Sequence, residues 1–199
     1  MKQLKHIILT MCMWANRVLN GASVLTSNSQ RATLRRIAKL RLKRKTGVRL
    51  LEIGSWMGAS AVVLGDVARA HNGKLVCVDW WNGNVGEGLT WEAKLHDAYA
   101  RFWHRIKRAG LTDTVIPMRG KSQDVLPLLA DKSFDVIWID GDHRYDGVKY
   151  DIEQAKRLIT SGGLICGHDY EATHSDVVRA VDEIFPKRKH DGAVWWIYV

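Results

Sequence analysis

Short apolar runs recur along this chain, and amphipathic stretches fall between them. The runs are Arg49–Ile53, Lys74–Val78 closing on Asp79, Val115–Met118, Phe134–Ile139 closing on Asp140, Leu164–Cys166, and a last run over 193–199. Between them, residues 30–45, 59–70, 91–109, 122–129, 146–160 and 175–185 read as helices. Leu34, Ile37, Ala38 and Leu42 recur at helical spacing in the first of these, and Leu95, Ala98, Phe102 and Ile106 in the third. Alternating strands and helices pair the strands in parallel through right-handed crossovers. Continuous apolar strands are those whose two faces are both covered by helices. The expected fold is therefore a doubly wound, mostly parallel α/β sheet. In such sheets ligands bind beyond the carboxyl ends of the strands. That rule selects Glu52–Gly58, Asp79, Gly120–Gln123, Asp140–His143 and His168–Tyr170.

Charge divides the chain unevenly. Residues 1–51 hold twelve Lys and Arg and no Asp or Glu. The remaining 148 residues hold 18 Lys and Arg against all 21 acids, so the formal charge of +9 belongs to the N-terminal arm. We expect a basic helical segment over residues 1–46, packed on the core, with Thr26–Ser29 offering a helix N-cap. One further domain is expected over 47–199. No apolar run reaches the roughly 18–20 residues of a membrane span. Cys12, Cys77 and Cys166 show no paired spacing, so neither a zinc ribbon nor a redox dithiol is suggested. Buried reduced thiols and a cytoplasmic protein are expected. The N-terminus faintly echoes a signal or transit segment but lacks a clear small-x-small cleavage site.

The stretch LLEIGSWMGAS runs from strand into helix. Gly54 and Gly58 let the backbone turn sharply and approach a ligand. Ser55 lies between them. A dinucleotide loop needs a middle glycine, and Trp56 stands there. Asp79 ends the second strand, where a carboxylate can accept from both ribose hydroxyls. Trp80 and Trp81 follow; either can stack on adenine or belong to the core. Residues 82–90 are glycine-rich and polar, either a lid or an ordinary loop. Gly120, Ser122 and Gln123 offer hydrogen bonds after the third strand. Asp140, Asp142 and His143 end the fourth strand, and His168 and Asp169 the fifth. Several acids on one rim need a counter-charge, which a divalent cation supplies.

The spacing Glu52-x-Gly54-x-x-x-Gly58, the acid at 79, the phrase "IDGDH-x-Y" and "GG-x-x-x-GHDY" together resemble the class I methyltransferases that use S-adenosylmethionine (SAM). The last two resemble small metal-dependent O-methyltransferases, such as those acting on catechols, macrolide sugars and cephalosporin precursors. The resemblance spans about residues 48–185. It implies a Rossmann-like methyltransferase fold with SAM held by Glu52, Gly54, Ser55, Gly58, Asp79, Trp80, Gly120, Ser122, Gln123 and Asp140. It implies a metal at Asp140, His168 and Asp169. The histidine departs from the pattern, because magnesium prefers oxygen ligands, and leaves magnesium, manganese, another imidazole-tolerant ion or no metal open. His143 is implied as the general base, with Asp142 the alternative. The expected activity is methyl transfer to a hydroxyl of a small acceptor. RNA methylation through the basic arm and a non-catalytic SAM-binding role are the rivals. The acceptor and the oligomeric state, a homo-oligomer included, are not legible.

Overall fold

The computed structural model describes residues 26–83 and 89–199. The helix expected before residue 26 and the middle of the glycine-rich 82–90 loop lie outside the described residues. Seven strands form one sheet: β1 (Arg49–Ile53), β2 (Lys74–Asp79), β3 (Val115–Arg119), β4 (Phe134–Ile139), β5 (Ile159–Gly167), β6 (Lys189–Asp191) and β7 (Val194–Tyr198). Their order is β3-β2-β1-β4-β5-β7-β6. The first five are parallel neighbours, and β7 runs antiparallel between β5 and β6. The expected doubly wound, mostly parallel sheet is what forms.

The helices are α1 (Asn28–Leu42), α2 (Ala59–Ala70), α3 (Leu89–His96), α4 (Ala98–Arg108), the short α5 (Ser122–Val125), α6 (Tyr145–Leu158) and α7 (Ser175–Ile184). Helix α1 opens on a capping box: Gln30 N–H donates to Ser27 Oγ, and Ser27 N–H to Gln30 Oε1. Such a box satisfies two otherwise orphaned donors. The helix stops at Leu42, three residues short of the expected end. Beyond it Lys45 Nζ turns to the buried Asp135 carboxylate at 2.5 Å.

Strand residues alternate between two apolar layers. Leu50, Leu75, Val136 and Trp138 face the layer that contains α1, α2 and α4, while Leu51, Ile53, Ile137 and Ile139 face α6 and α7. The register lays Cys77, Glu52, Trp138 and Cys166 side by side across four strands. Glu52 thus sits in an apolar row, fully buried.

Besides the early end of α1, and β5 beginning at Ile159 where the helix expected over 146–160 would still run, three more elements differ from expectation. The helix expected over 91–109 breaks at Asp97, whose φ is +44° and whose carboxylate caps α4 by accepting from Ala100 N–H at 3.0 Å. The 122–129 helix is one α turn followed by a 3-10 turn at Leu126–Leu128, where Pro127 lacks an N–H to continue the ladder. Strand β6 was not expected; all three of its residues are exposed.

The strand order reverses between β1 and β4, the place where doubly wound sheets open a crevice. The loops there continue the ladder by one bond each. Gly54 N–H donates to Val78 at 2.9 Å, Asp140 N–H to Ile53 at 2.8 Å, and His168 N–H to Ile139 at 3.1 Å. The polar residues that follow each strand are thereby fixed on one rim.

Candidate active site

A cavity of about 1060 Å³ opens on this rim. Gly54, Ser55, Asp79, Trp80, Gly120, Ser122 and Gln123 line one part of it. Asp140, Asp142, His143, His168 and Asp169 line the other. Glu52 and Gly58, expected to contact cofactor, are absent from its lining and act one layer below.

Gly54 is required by close approach. Its φ is +84°, and a Cβ there would stand 2.0 Å from the Asp140 carbonyl oxygen. Gly58, at φ +83°, lets α4 pack, since its Cβ would meet Phe102 at 3.0 Å. Glu52 supports the loop from beneath. The Cys77 thiol donates to its Oε2 at 3.3 Å. Burial pushes its carboxyl up to about 7, against hydrogen bonds from Ser55, Ser60 and Cys77 that pull it down.

Asp79 ties together the two loops at the glycine-loop end of the cavity. Its Oδ2 accepts from Trp56 N–H at 2.7 Å and its Oδ1 from Trp81 N–H at 2.6 Å. Each oxygen keeps a second lone pair for a ligand hydroxyl. Burial raises its pKa, with those backbone donors opposing. The two tryptophans that follow part company. Trp81 is core: its Nε1–H donates to the Trp56 carbonyl at 2.7 Å, and its ring packs on Tyr99 and Phe102. Trp80 lines the cavity, with Lys121 Nζ 5.1 Å from its ring centroid.

At the other end three imidazoles surround one carboxylate. His143 Nε2 lies 3.0 Å from Asp169 Oδ2, and His168 Nδ1 lies 3.0 Å from Asp169 Oδ1. His174 Nδ1 lies 3.8 Å from the same Oδ1. Asp140 Oδ1 is 3.8 Å from His168 Nδ1. Asp169 holds φ +56°, a left-handed backbone an aspartate adopts at a cost. Burial disfavours the His168 imidazolium, but Asp169 and Asp140 outweigh it and raise its pKa. Burial also lifts Asp140, further aided by Asp169. For Asp169 burial is outweighed by His143 and His168, which hold it ionised well below the usual range. Two acids and a charged imidazole therefore share one pocket.

This donor set can take a divalent cation. It offers carboxylate oxygens from Asp140 and Asp169 and an imidazole from His168, whose Nδ1 faces both acids. Asp142 is differently placed. Burial lifts its carboxyl, yet Arg144 grips it through backbone and guanidinium and brings it below the ordinary value.

Residues not singled out in the sequence complete the cavity. Thr26 and Gln30 reach it from the start of α1, and Glu171, Thr173 and His174 from the turn after β5. Asp151 of α6 lies buried beneath; burial pushes it up to about 7, with the Ser122 hydroxyl opposing.

Comparison with known proteins agrees with this geometry. Residues 51–170, more than half of the chain, match the family model described as a methyltransferase domain. The chain belongs to this methyltransferase family. Among solved structures, cofactor-bound Rv0187 from MTB is similar at 19% identity, over 96% of this chain and 88% of that one, with a TM-score of 0.68. The O-methyltransferase from Bacillus cereus in complex with SAH is similar at 18% identity, over 96% and 89%, with a TM-score of 0.65. TomG from Streptomyces achromogenes, an O-methyltransferase involved in tomaymycin synthesis and solved with SAM, is similar at 18%, over 86% and 79%, with a TM-score of 0.64. These likenesses are of fold. The membership expected from the glycine loop and the acids after β2, β4 and β5 holds. Among the described residues no helix is long and apolar enough to cross a membrane.

Proposed function

We propose that this methyltransferase moves a methyl group from SAM to a hydroxyl of a small acceptor. One observation carries the reading: a single cavity joins a loop-and-carboxylate end, built by Gly54, Ser55 and Asp79, to an acid–imidazole end built by Asp140, His143, His168 and Asp169. SAM supplies a methyl on a sulfonium, which an oxygen nucleophile displaces in one step. Asp79 would hold the ribose hydroxyls, and the loop from Gly54 would follow the methionine part. Trp80, Gly120, Ser122 and Gln123 would flank the adenine.

The acceptor hydroxyl must lose its proton as it attacks. His143 is the base in this reading. Its Nε2 lies 3.0 Å from Asp169 Oδ2, a carboxylate that would steady the imidazolium formed on taking the proton. Asp142 is the weaker candidate because Arg144 keeps its carboxylate weakly basic. Magnesium or manganese at Asp140, Asp169 and His168 would lower the pKa of the acceptor hydroxyl. The ion would need a neutral His168, so loading it releases a proton.

The test is Asp140→Ala. Turnover on hydroxylated acceptors falls by at least about 100-fold, the scale of a lost acid–base or ion contribution, while SAM binding by calorimetry is largely kept. Full activity in that variant removes Asp140 from the chemistry.

A second reading, methylation of RNA, is favoured by one feature. Arg31, Arg35, Arg105 and Arg108 line a groove that shares Ala59 with the main cavity. RNA binding that weakens steeply with salt, and is lost on neutralising these arginines, would favour it. Weak, salt-insensitive binding favours the small acceptor.

A further inference from the structure

We infer that His143, Asp169 and His174 form a second cation site, one suited to a zinc-like divalent ion. The three offer one ligand atom each, all within 4.8 Å of one another. Around tetrahedral zinc, ligand atoms about 2.0–2.1 Å from the metal stand roughly 3.3 Å apart. His143 Nε2 lies 3.0 Å from Asp169 Oδ2 and His174 Nδ1 lies 3.8 Å from Asp169 Oδ1, so the carboxylate reaches the two rings through different oxygens, each at close to that spacing. The two imidazole rings are 5.0 Å apart and steeply inclined at 72°, so one ion can reach both. All three side chains are mostly covered, at 18%, 13% and 32% exposure, yet line the cavity. A fourth ligand position can therefore face the cavity.

The backbone holds this arrangement. Glu171 N–H donates to the Asp169 carbonyl at 2.8 Å, and His174 N–H to the Glu171 carbonyl at 2.9 Å. The resulting turn carries His174 back over Asp169. Glu171 Oε1 lies 3.5 Å and Thr173 Oγ1 3.2 Å from the same His174 Nδ1, contacts that a bound ion would replace.

Asp169 belongs to both cation sites. Its Oδ1 lies near His168 and His174, and its Oδ2 faces His143. The carboxylate-rich side suits magnesium or manganese. Two imidazoles and one carboxylate instead favour zinc and its neighbours, because nitrogen ligands bind these ions more strongly than they bind magnesium.

The consequence is regulatory, and this part rests on His143 being the base. An ion on one ring nitrogen of His143 leaves the other carrying the ring proton, so the imidazole has no lone pair with which to take another. Zinc would then switch methyl transfer off, and His174 would set how readily it does so.

The experiment uses tag-free, chelator-treated protein titrated with zinc by calorimetry, in the wild type and in His174→Ala and His174→Gln. We expect both variants to lose at least tenfold in zinc affinity. Cobalt should give a visible spectrum of nitrogen-ligated ion in the wild type that weakens in both. Their magnesium or manganese response should be unchanged. Methyl transfer should be inhibited by zinc in the wild type and resist it in the variants. Equal zinc affinity in wild type and folded variants overturns the site. Because the titrations need neither SAM nor acceptor, their outcome stands apart from that of the methyl-transfer assay. If zinc binds as expected yet methyl transfer is unaffected, the site stands and His143 is not the base.

Discussion

At the scale of single residues, the cost of the site is concentrated in buried acids. Glu52 lies in the Cys77–Glu52–Trp138–Cys166 row, with no cation beside it among the described residues. In the unfolded chain its carboxyl ionises near 4.5, and in the fold near 7. Between those values the folded state holds more protons, so stability falls as pH rises through the window and levels off above it. Asp151, also pushed up to about 7, acts in the same direction. Glu52→Gln should therefore flatten part of the pH dependence and gain up to about 3 kcal/mol above pH 7 relative to the wild type, from 1.36 kcal/mol per unit. Urea melts at pH 5 and pH 8 check this. An unchanged slope would mean that Glu52 ionises freely in the fold. The sequence showed the acid at this position but not that it lies under the loop. Only the pairing register, which sets Glu52 between Cys77 and Trp138, reveals that.

At the scale of elements, strands with apolar runs were legible because burial on both faces leaves an unbroken hydrophobic signature. β6 was not, since Lys189, His190 and Asp191 are all exposed and hold no pattern. The break at Asp97 was equally hidden, because the apolar spacing from Leu95 to Ile106 runs straight through it. Phe102 and Ile106 of α4 are fully buried against α2, and the Asp97 cap fixes where that helix starts. Asp97→Ala should cost about 1 kcal/mol, a Tm loss of roughly 2–4 °C for a chain of this size. Scanning calorimetry measures it, and no loss would show that the cap is dispensable. Among the histidines, His143 and His168 could be found because they adjoin the ends of strands. His174 could not, because a 3-10 turn carries it back to Asp169. The same limit hid Thr26 and Gln30, which reach the cavity only because α1 packs beside the rim.

At the scale of the whole molecule, the sheet brings two separate chemistries to one opening. The reversal of strand order between β1 and β4 makes the crevice. β2 and β3 bring Asp79, Trp80, Gly120, Ser122 and Gln123, and β4 and β5 the acids and imidazoles. The body of the fold and the polar rim were legible from alternation and strand-end acids. The convergence of three imidazoles on one carboxylate was not, because it depends on how two loops meet. The central claim is that this rim binds SAM through Asp79. The most direct measurement is a calorimetric titration of SAM into the purified protein and into Asp79→Ala, with folding of each verified by circular dichroism. Saturable binding is expected of the wild type, weakened at least tenfold in the variant. A folded wild type that takes up no SAM, or a variant that binds it equally well, would contradict it.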